Sequence, residues 1–227
     1  MNPKKSWNIL NWNVRGLNSE HKWNSIRDKI IESRSDIICL QETKRASFDS
    51  AFLRNICPGE FDDFLFLPSV GASGGILVAW KGTVFHGQLS FSNSFALSVE
   101  FTSKHDNESW MLTTAYAPCT ANGKKDFLDW FAEIQMPDGM DWLIVGDFNM
   151  IRKPEDRNRD GADINEIFLF NEAINKLDLI EIPLHGRQYT WTNKQFPPLL
   201  ERLVLHLNFL DNQISRHFSQ STSHGGF

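Results

Sequence analysis

The sequence predicts an α/β protein in which two β-sheets pack face to face and helices cover them. Three observations support this prediction. Strand-length apolar runs and amphipathic helical patterns alternate near both ends of the chain, and strand-like runs separated by Gly, Ser and Asn turns fill the middle. Neither a periodic repeat nor a long linker rich in Pro and Gly divides the 227 residues, so one domain is expected.

The first elements form a β-α-β unit. A strand is predicted at residues 7–12 and another at residues 37–40, where four apolar residues follow Asp36, as expected of a strand buried on both faces. Between them, Asn18 and Ser19 can cap a helix. Apolar residues recur in this helix near the helical period, at Trp23, Ile26, Ile30 and Ile31.

The remaining elements complete the layered arrangement. Four strands are predicted to continue one sheet as antiparallel neighbours, at residues 64–67, 75–80, 96–101 and 110–116. A helix, a strand and a second helix follow, at residues 124–135, 142–145 and 165–177. We assign residues 1–203 to the domain proper and residues 204–227 to a divergent tail of the same domain.

The composition is that of a packed soluble globule, with 41% hydrophobic and 22% charged residues. The formal net charge of -5 argues against binding nucleic acid through a broad basic surface, because neutralising phosphates requires clustered Lys and Arg. A local groove is compatible with this charge. Short basic clusters occur at residues 4–5, 44–45, 124–125, 152–153, 157 and 159, and ordinary surface charge explains each equally well.

The cysteines and the N-terminus indicate a reducing compartment. Cys39, Cys57 and Cys119 form no Cys-x-x-Cys pair, so neither a disulfide framework nor a structural zinc site is expected. The N-terminus lacks the apolar segment of a signal peptide, and no stretch approaches the roughly 18 apolar residues of a membrane helix. We therefore expect the domain in the cytoplasm or the nucleus.

Polar side chains follow four of the predicted strands, at the point where each strand meets a loop. They are Asn13, Glu42, Tyr116 and the pair Asp147 and Asn149. Loops positioned by a rigid sheet commonly carry catalytic residues, and carboxylate, carboxamide and phenol groups together suit hydrolysis. The sequence therefore predicts a hydrolytic site at one edge of the sheets.

Each of these side chains has a chemical role and an ordinary alternative. The Glu42 carboxylate can hold a hard cation, and the Asn13 carboxamide can bind a phosphate oxygen or a metal-bound water. Asp147 can orient or deprotonate a water, while Asn149 and Tyr116 can donate to a negatively charged oxygen. The alternatives are a solvated Glu, turn-forming Asn and Asp residues, and a buried core Tyr.

Five segments together resemble the endonuclease/exonuclease/phosphatase family, particularly the endonuclease domain that precedes the reverse transcriptase of plant non-LTR retrotransposons. The resemblance extends from about residue 7 to residue 203. The segments are Asn-Val-Arg-Gly at 13–16, Gln-Glu-Thr at 41–43, Tyr-Ala-Pro at 116–118, Gly-Asp-Phe-Asn at 146–149 and Tyr-Thr-Trp-Thr-Asn at 189–193.

The resemblance implies a four-layer α-β-β-α sandwich of two mixed sheets, with the site at one edge. It implies that Glu42 is the principal ligand of Mg²⁺, for which Mn²⁺ can substitute, and that Asn13 lies beside the metal and binds substrate. It also assigns catalytic roles to Asp147, Asn149 and Tyr116.

The same resemblance identifies Arg157 and Trp191 as substrate-binding residues, and it fails after Leu203. Val204 stands where the family has Asp or Asn. Family members end with Ser-Asp-His on a core strand, whereas His224, the matching catalytic candidate, follows a Ser in a polar tail that is expected to fray. The last core strands are accordingly in question, as is the activity.

Three functions are consistent with these observations. The first is an Mg²⁺-dependent endonuclease that nicks DNA, derived from a retrotransposon and joined to a reverse transcriptase in a parent polyprotein. The second is an inactive relic that keeps the fold and a weak affinity for nucleic acid. The third is a phosphomonoesterase of the same family, since one fold supports several substrates.

Overall fold

The fold is described from a computed structural model that covers residues 7–71, 73–135, 139–184 and 186–209 and the backbone of residues 218–222. The helices are α1 (Glu20–Ser33), α2 (Ser50–Ile56), α3 (Ala121–Phe131) and α4 (Ile164–Lys176). The first strands are β1 (Trp7–Asn13), β2 (Ile37–Gln41), β3 (Phe61–Leu67), β4 (Ile76–Lys81), β5 (Phe85–Ser92), β6 (Ala96–Ser103) and β7 (Ser109–Tyr116). They are followed by β8 (Asp141–Asp147), β9 (Ile180–Glu181), β10 (Trp191–Thr192), β11 (Leu200–Glu201), β12 (Val204–Phe209) and β13 (Phe218–Thr222).

These strands form two large mixed sheets and a small hairpin. The five-stranded sheet has the order β13-β1-β2-β4-β3, and the six-stranded sheet has the order β5-β6-β7-β8-β12-β9. Strand β1 runs parallel to β2 and β13, and β7 runs parallel to β8, while the other pairs are antiparallel. Strands β10 and β11 form the separate hairpin.

The apolar side chains form three layers of core. Along β1, Trp7 and Ile9 face the second sheet, whereas Leu10 and Trp12 pack on the side of α1 and α2. A third cluster, which includes Trp142, fills the space between the six-stranded sheet and the helices α3 and α4. The division of the β1 side chains between two clusters follows from the two-residue period of a strand. The molecule is therefore the α-β-β-α sandwich that the resemblance implies.

Each helix begins at a residue whose side chain accepts a hydrogen bond from the first turn. Ser19 caps α1, as the sequence predicted, and Asp49, Thr120 and Asp163 cap α2, α3 and α4. Such caps stabilise a helix by about 1 kcal/mol because they satisfy N–H groups without an intrahelical partner. None of the helices in the described ranges is both long and apolar enough to cross a bilayer.

The sequence interpretation missed helix α2, strand β5 and the two-residue strands β9, β10 and β11. Helix α2 spans only seven residues, which is too short for a clear helical period. Strand β5 is an edge strand of its sheet, and most of its residues are at least partly exposed, so it lacks the continuous apolar run of a buried strand. Packing against neighbouring elements, rather than local pattern, determines α2 and β5.

The chain continues the fold beyond Leu203, although the sequence left the last core strands in question. Strand β12 pairs antiparallel with β8 inside the six-stranded sheet, and its residues 204–208 are all buried. Strand β13 adds to the five-stranded sheet beside β1. His224 lies outside the residues that the structure describes.

Candidate active site

Four strands end at one edge of the stacked sheets. In the first sheet Asn13 lies opposite Gln41, and in the second Tyr116 lies opposite Asp147. The two edges are joined by a hydrogen bond of 2.7 Å from Asn13 Nδ2 to Asp147 Oδ2. Because both strand pairs are parallel, the loops that follow them leave the sandwich on the same side. We call this edge the rim.

Asp147 is the most buried carboxyl group of the rim, with 3% of its surface exposed. One oxygen accepts the Asn13 hydrogen bond, and the other accepts the backbone N–H of Asn149 at 3.1 Å. Burial raises the pKa of Asp147 to about 6, and the negative charge of Glu42 adds to this, while the two hydrogen bonds oppose it. A carboxylate with this pKa is suited to accept a proton near neutral pH.

The residues around Asp147 explain the sequence of this segment. A side chain at Gly146 would overlap the carbonyl of Ala115 on β7, so only Gly fits. Phe148 is buried among the rings of α3 and α4 and anchors the strand end. Asn149 adopts a left-handed backbone conformation (φ 49°), and its Nδ2 donates to Ala117 O at 2.6 Å.

Glu42 leaves β2 in a left-handed conformation (φ 55°) and meets two partners at the rim. Its carboxylate lies 2.9 Å from Lys44 Nζ, and the Tyr116 side chain is close enough to interact with it. Burial raises the pKa of Tyr116 far above its usual value, and the charges of Glu42 and Asp147 raise it further. Tyr116 therefore stays protonated and can serve as a hydrogen-bond donor.

The neighbours of Glu42 in the Gln-Glu-Thr segment hold the backbone. Gln41 is fully buried, and its Nε2 donates to Asn11 Oδ1 at 2.7 Å, across from β2 to β1. The Thr43 N–H donates to Gly75 O, where Gly75 has a positive φ of 89°. Gly75 thus has a structural role, and only Glu42 of the triplet faces the rim.

The two substrate-binding candidates lie among charged partners. Arg157 forms an ion pair with Glu201 at 3.2 Å, and the backbones of the two residues also form a bridge. Trp191 packs beside Leu203, and the guanidinium carbon of Arg15 lies 5.8 Å from the centre of its ring. Trp191 therefore neighbours the rim through Arg15, whereas the charge of Arg157 is already paired.

Val204 lies directly opposite Asp147, on β12, and it is buried. Its apolar side chain offers Asp147 no hydrogen bond, so the carboxylate depends on Asn13 and on the Asn149 backbone. Because Val204 replaces the Asp or Asn of the family pattern, Asp147 has no side-chain partner on β12.

Sequence reasoning missed that several cations lie around Lys22 near the rim. The positive charges of Arg15, Lys44 and Lys194 and the negative charge of Glu42 all act on Lys22. In the sequence, Lys44 was noted only as one of a basic pair, and Arg15 only as part of the Asn-Val-Arg-Gly segment. A detectable signal existed for Lys22, which stands in the first turn of α1, where the helix dipole disfavours positive charge.

The rim offers oxygen atoms of the kind that bind a divalent cation. Among the described residues no three His, Cys, Asp or Glu side chains converge on one point. Mg²⁺ does not need such a cage, because it keeps several waters and binds through one or two carboxylates plus substrate phosphates. The Glu42 carboxylate and the Asn13 carboxamide carry oxygen atoms that could act as such ligands, and the Glu42 carboxylate is paired with the Lys44 ammonium.

A family of known proteins matches most of the chain. The sequence model of the Endonuclease/Exonuclease/phosphatase family matches residues 10–202. No curated protein sequence matches the chain significantly.

Solved structures share the fold at low sequence identity. The AP endonuclease LMAP from Leishmania major superposes with a TM-score of 0.66 at 16% identity, covering 88% of this chain and 78% of that one. An AP endonuclease from Archaeoglobus fulgidus gives 0.65 at 15% identity, covering 88% and 85%. The endonuclease domain of TRAS1, a telomere-specific non-LTR retrotransposon, gives 0.64 at 11% identity, covering 89% and 85%.

Proposed function

The chain belongs to the endonuclease/exonuclease/phosphatase family, and on that premise we propose that it is a phosphodiesterase that nicks DNA with the help of a divalent cation. The observation that carries this proposal is the hydrogen bond between Asn13 and Asp147. It supports a single site at which the carboxylates of Glu42 and Asp147 act together. The similarity in fold to AP endonucleases and to a retrotransposon endonuclease favours DNA as the substrate.

In this proposal Asp147 prepares the attacking water. Its raised pKa, about 6, lets the carboxylate take a proton from water more readily than an exposed Asp would. Asn13 holds one carboxylate oxygen in place, and the Asn149 N–H holds the other, so the base has a fixed direction. Asn149 and Tyr116 donate to the phosphoryl oxygens as negative charge develops on them.

Glu42 and Asn13 would hold the cation, Mg²⁺ or Mn²⁺. When bound, the cation neutralises charge on the phosphate and stabilises the leaving oxygen. Lys44, now paired with Glu42 at 2.9 Å, becomes free to contact a phosphate once the carboxylate has a metal partner. The protein side chains would then supply a base, hydrogen-bond donors and positive charge to the phosphate.

The biological setting is a further part of the proposal. The plant-retrotransposon character of residues 12–17 and 189–193 supports an origin as the endonuclease of such an element, encoded with a reverse transcriptase. Nicking of target DNA would expose a 3′ hydroxyl that primes reverse transcription.

A second candidate function is an inactive relic that keeps the fold and weak affinity for DNA. Val204 opposite Asp147 favours it, because an apolar residue replaces the side chain that the family pattern expects there. Losing the residue that orients a catalytic group typically lowers the rate roughly 10²- to 10⁴-fold. The relic and the active enzyme therefore differ by a measurable rate.

Nicking of supercoiled plasmid tests these alternatives. The active enzyme converts supercoiled to open-circular DNA only with Mg²⁺ or Mn²⁺, and Asp147→Ala abolishes the conversion. Asp141→Asn is a matched control, because Asp141 is a buried Asp at the other end of β8. Nicking that survives both chelation and Asp147→Ala would contradict the proposal. Hydrolysis of phosphate monoesters without any nicking would instead identify the protein as a phosphomonoesterase of the same family.

A further inference from the structure

Lys22 lies beneath the turn that follows Asn13. Its Nζ donates to three successive backbone carbonyls, Val14 O at 3.0 Å, Arg15 O at 3.0 Å and Gly16 O at 3.1 Å. An ammonium group carries three N–H donors, so each donor has its own acceptor. A single side chain therefore stabilises the whole turn.

This location is unfavourable for a cation in two respects. Lys22 is the third residue of α1, where the helix dipole favours negative charge. Partial burial lowers the pKa of Lys22, and the positive charges of Lys44 and Arg15 lower it further. A residue that breaks a local rule and is compensated by specific contacts is a candidate for a functional role. Here the three carbonyls are the compensation.

The contacts of Lys22 reach Asp147 through one rigid unit. Val14 O and Arg15 N belong to the same planar peptide. Lys22 Nζ donates to the oxygen of that peptide, Val14 O. The N–H of the same peptide, Arg15 N–H, donates to Asn13 Oδ1 at 3.0 Å. The opposite end of the same carboxamide, Asn13 Nδ2, donates to Asp147. An amide held at both ends cannot rotate without breaking one of these bonds.

We propose that Lys22 is a positioning residue, which fixes the Asn13 carboxamide through the peptide between Val14 and Arg15 in the orientation that holds Asp147. The catalytic consequence of this inference rests on the proposed function. The positioning itself is a property of the fold and can be measured without any nuclease activity.

Hydrogen exchange of the Asn13 side-chain amide, followed by NMR, measures the positioning directly. Lys22→Met keeps the aliphatic stem and removes the three donors, so we expect the Asn13 Nδ2 protons to exchange about 10-fold faster, as for the loss of one hydrogen bond. Lys29→Met is the matched control, because Lys29 lies on the same helix and pairs with the exposed Glu32. Lys29→Met should leave the exchange rate of the Asn13 Nδ2 protons at its wild-type value. A wild-type exchange rate in Lys22→Met would overturn the inference.

Lys22→Arg separates geometry from charge. Arg keeps the positive charge, but its planar fork cannot direct donors to three carbonyls in the manner of an ammonium group. We expect faster Asn13 exchange than in the wild type. A wild-type exchange rate in Lys22→Arg would show that positive charge alone is enough to hold the Asn13 carboxamide. It would overturn the role proposed for the three hydrogen bonds of Lys22.

Kinetics then test the catalytic consequence. We expect Lys22→Met to lower kcat for plasmid nicking about 10- to 100-fold with little change in KM, as for residues that orient a metal ligand. Lys29→Met should retain the wild-type kcat. If the wild type does not nick DNA at all, the proposed function fails, and the exchange measurement alone decides the role of Lys22.

A wild-type measurement covers the case in which Lys22→Met does not fold. The ammonium protons of Lys22 should exchange with water more slowly than those of Lys29, because all three are hydrogen-bonded within the protein. Equal exchange rates for the two lysines would overturn the inference.

Discussion

Asn13 Nδ2 lies 2.7 Å from Asp147 Oδ2, although the two residues are 134 positions apart in the sequence. The bond joins β1 of one sheet to β8 of the other, so the rim exists only when the sheets are stacked. It also controls the charge of Asp147, because a donor to the carboxylate opposes the effect of burial on its pKa. The fold and the acid-base chemistry thus depend on the same contact.

Asn13→Ala is expected to shift the pH dependence of nicking. Without the donor the ionised form of Asp147 is less stable, so its pKa rises and the acid limb of kcat/KM moves to higher pH. We also expect kcat to fall about 10- to 100-fold, because the base loses its fixed direction. Asn8→Ala is the control, because Asn8 is a half-buried Asn on the same strand whose side chain donates to the Arg34 carbonyl, away from the rim. An unshifted acid limb in Asn13→Ala would contradict this role.

Asp147→Asn is expected to change how stability depends on pH. The folded pKa of Asp147, about 6, lies above the unfolded value of 3.8, so the folded state binds more protons between these values. Wild-type stability from this group therefore falls as pH rises, by about 2 kcal/mol from pH 4.5 to 7.5. Urea unfolding of both proteins at the two pH values, without divalent cations, measures the difference. Identical pH dependence would show that Asp147 is not perturbed.

His206 has the opposite effect. Burial lowers the pKa of His206 to about 4, and the charge of Arg187 adds to this. Its folded pKa lies below the unfolded value of 6.5, so stability is lost as pH falls through this window. We expect a loss of about 2–3 kcal/mol between pH 7.5 and 4.5, which His206→Leu should remove. The measurement is urea unfolding of both proteins, and an equal acid loss in the variant would contradict the assignment.

Gly146→Ala is expected to destabilise the protein without touching an ionisable group. The new methyl group would overlap the Ala115 carbonyl on the neighbouring strand. We expect a loss of about 1–3 kcal/mol in the free energy of unfolding, since the strands must shift to relieve the overlap. Gly59→Ala is the control, because no atom lies within 4 Å of its added Cβ. Equal stability of the two variants would argue against the close approach at Gly146.

Much of the fold was predictable from local patterns because buried strands and amphipathic helices have distinct periods. Strands β2 and β8 were recognised from continuous apolar runs, and Ser19 was recognised as a helix cap. Helix α2 and edge strand β5 were missed, because neighbours rather than local sequence stabilise them. Strand β12 was in question because Val204 departs from the family pattern, yet the strand pairs with β8 along its whole length and is buried from residue 204 to residue 208.

The candidate site was only partly predictable. Strand ends indicated Asn13, Glu42, Tyr116 and Asp147, and these meet at the rim. The role of Lys22 could not be read from spacing, because its three acceptors are backbone carbonyls, which every residue carries. The catalytic roles assigned to these side chains stay predictions until they are measured.

The location of a bound metal tests the central claim most directly. Crystals soaked in Mn²⁺ would reveal the ion by its anomalous scattering. The account predicts a peak about 2.0–2.5 Å from a Glu42 carboxylate oxygen, on the side that faces Asn13 and Asp147, and a weaker peak in Glu42→Gln. A Mn²⁺ ion bound only elsewhere, with Glu42 still paired to Lys44, would contradict it.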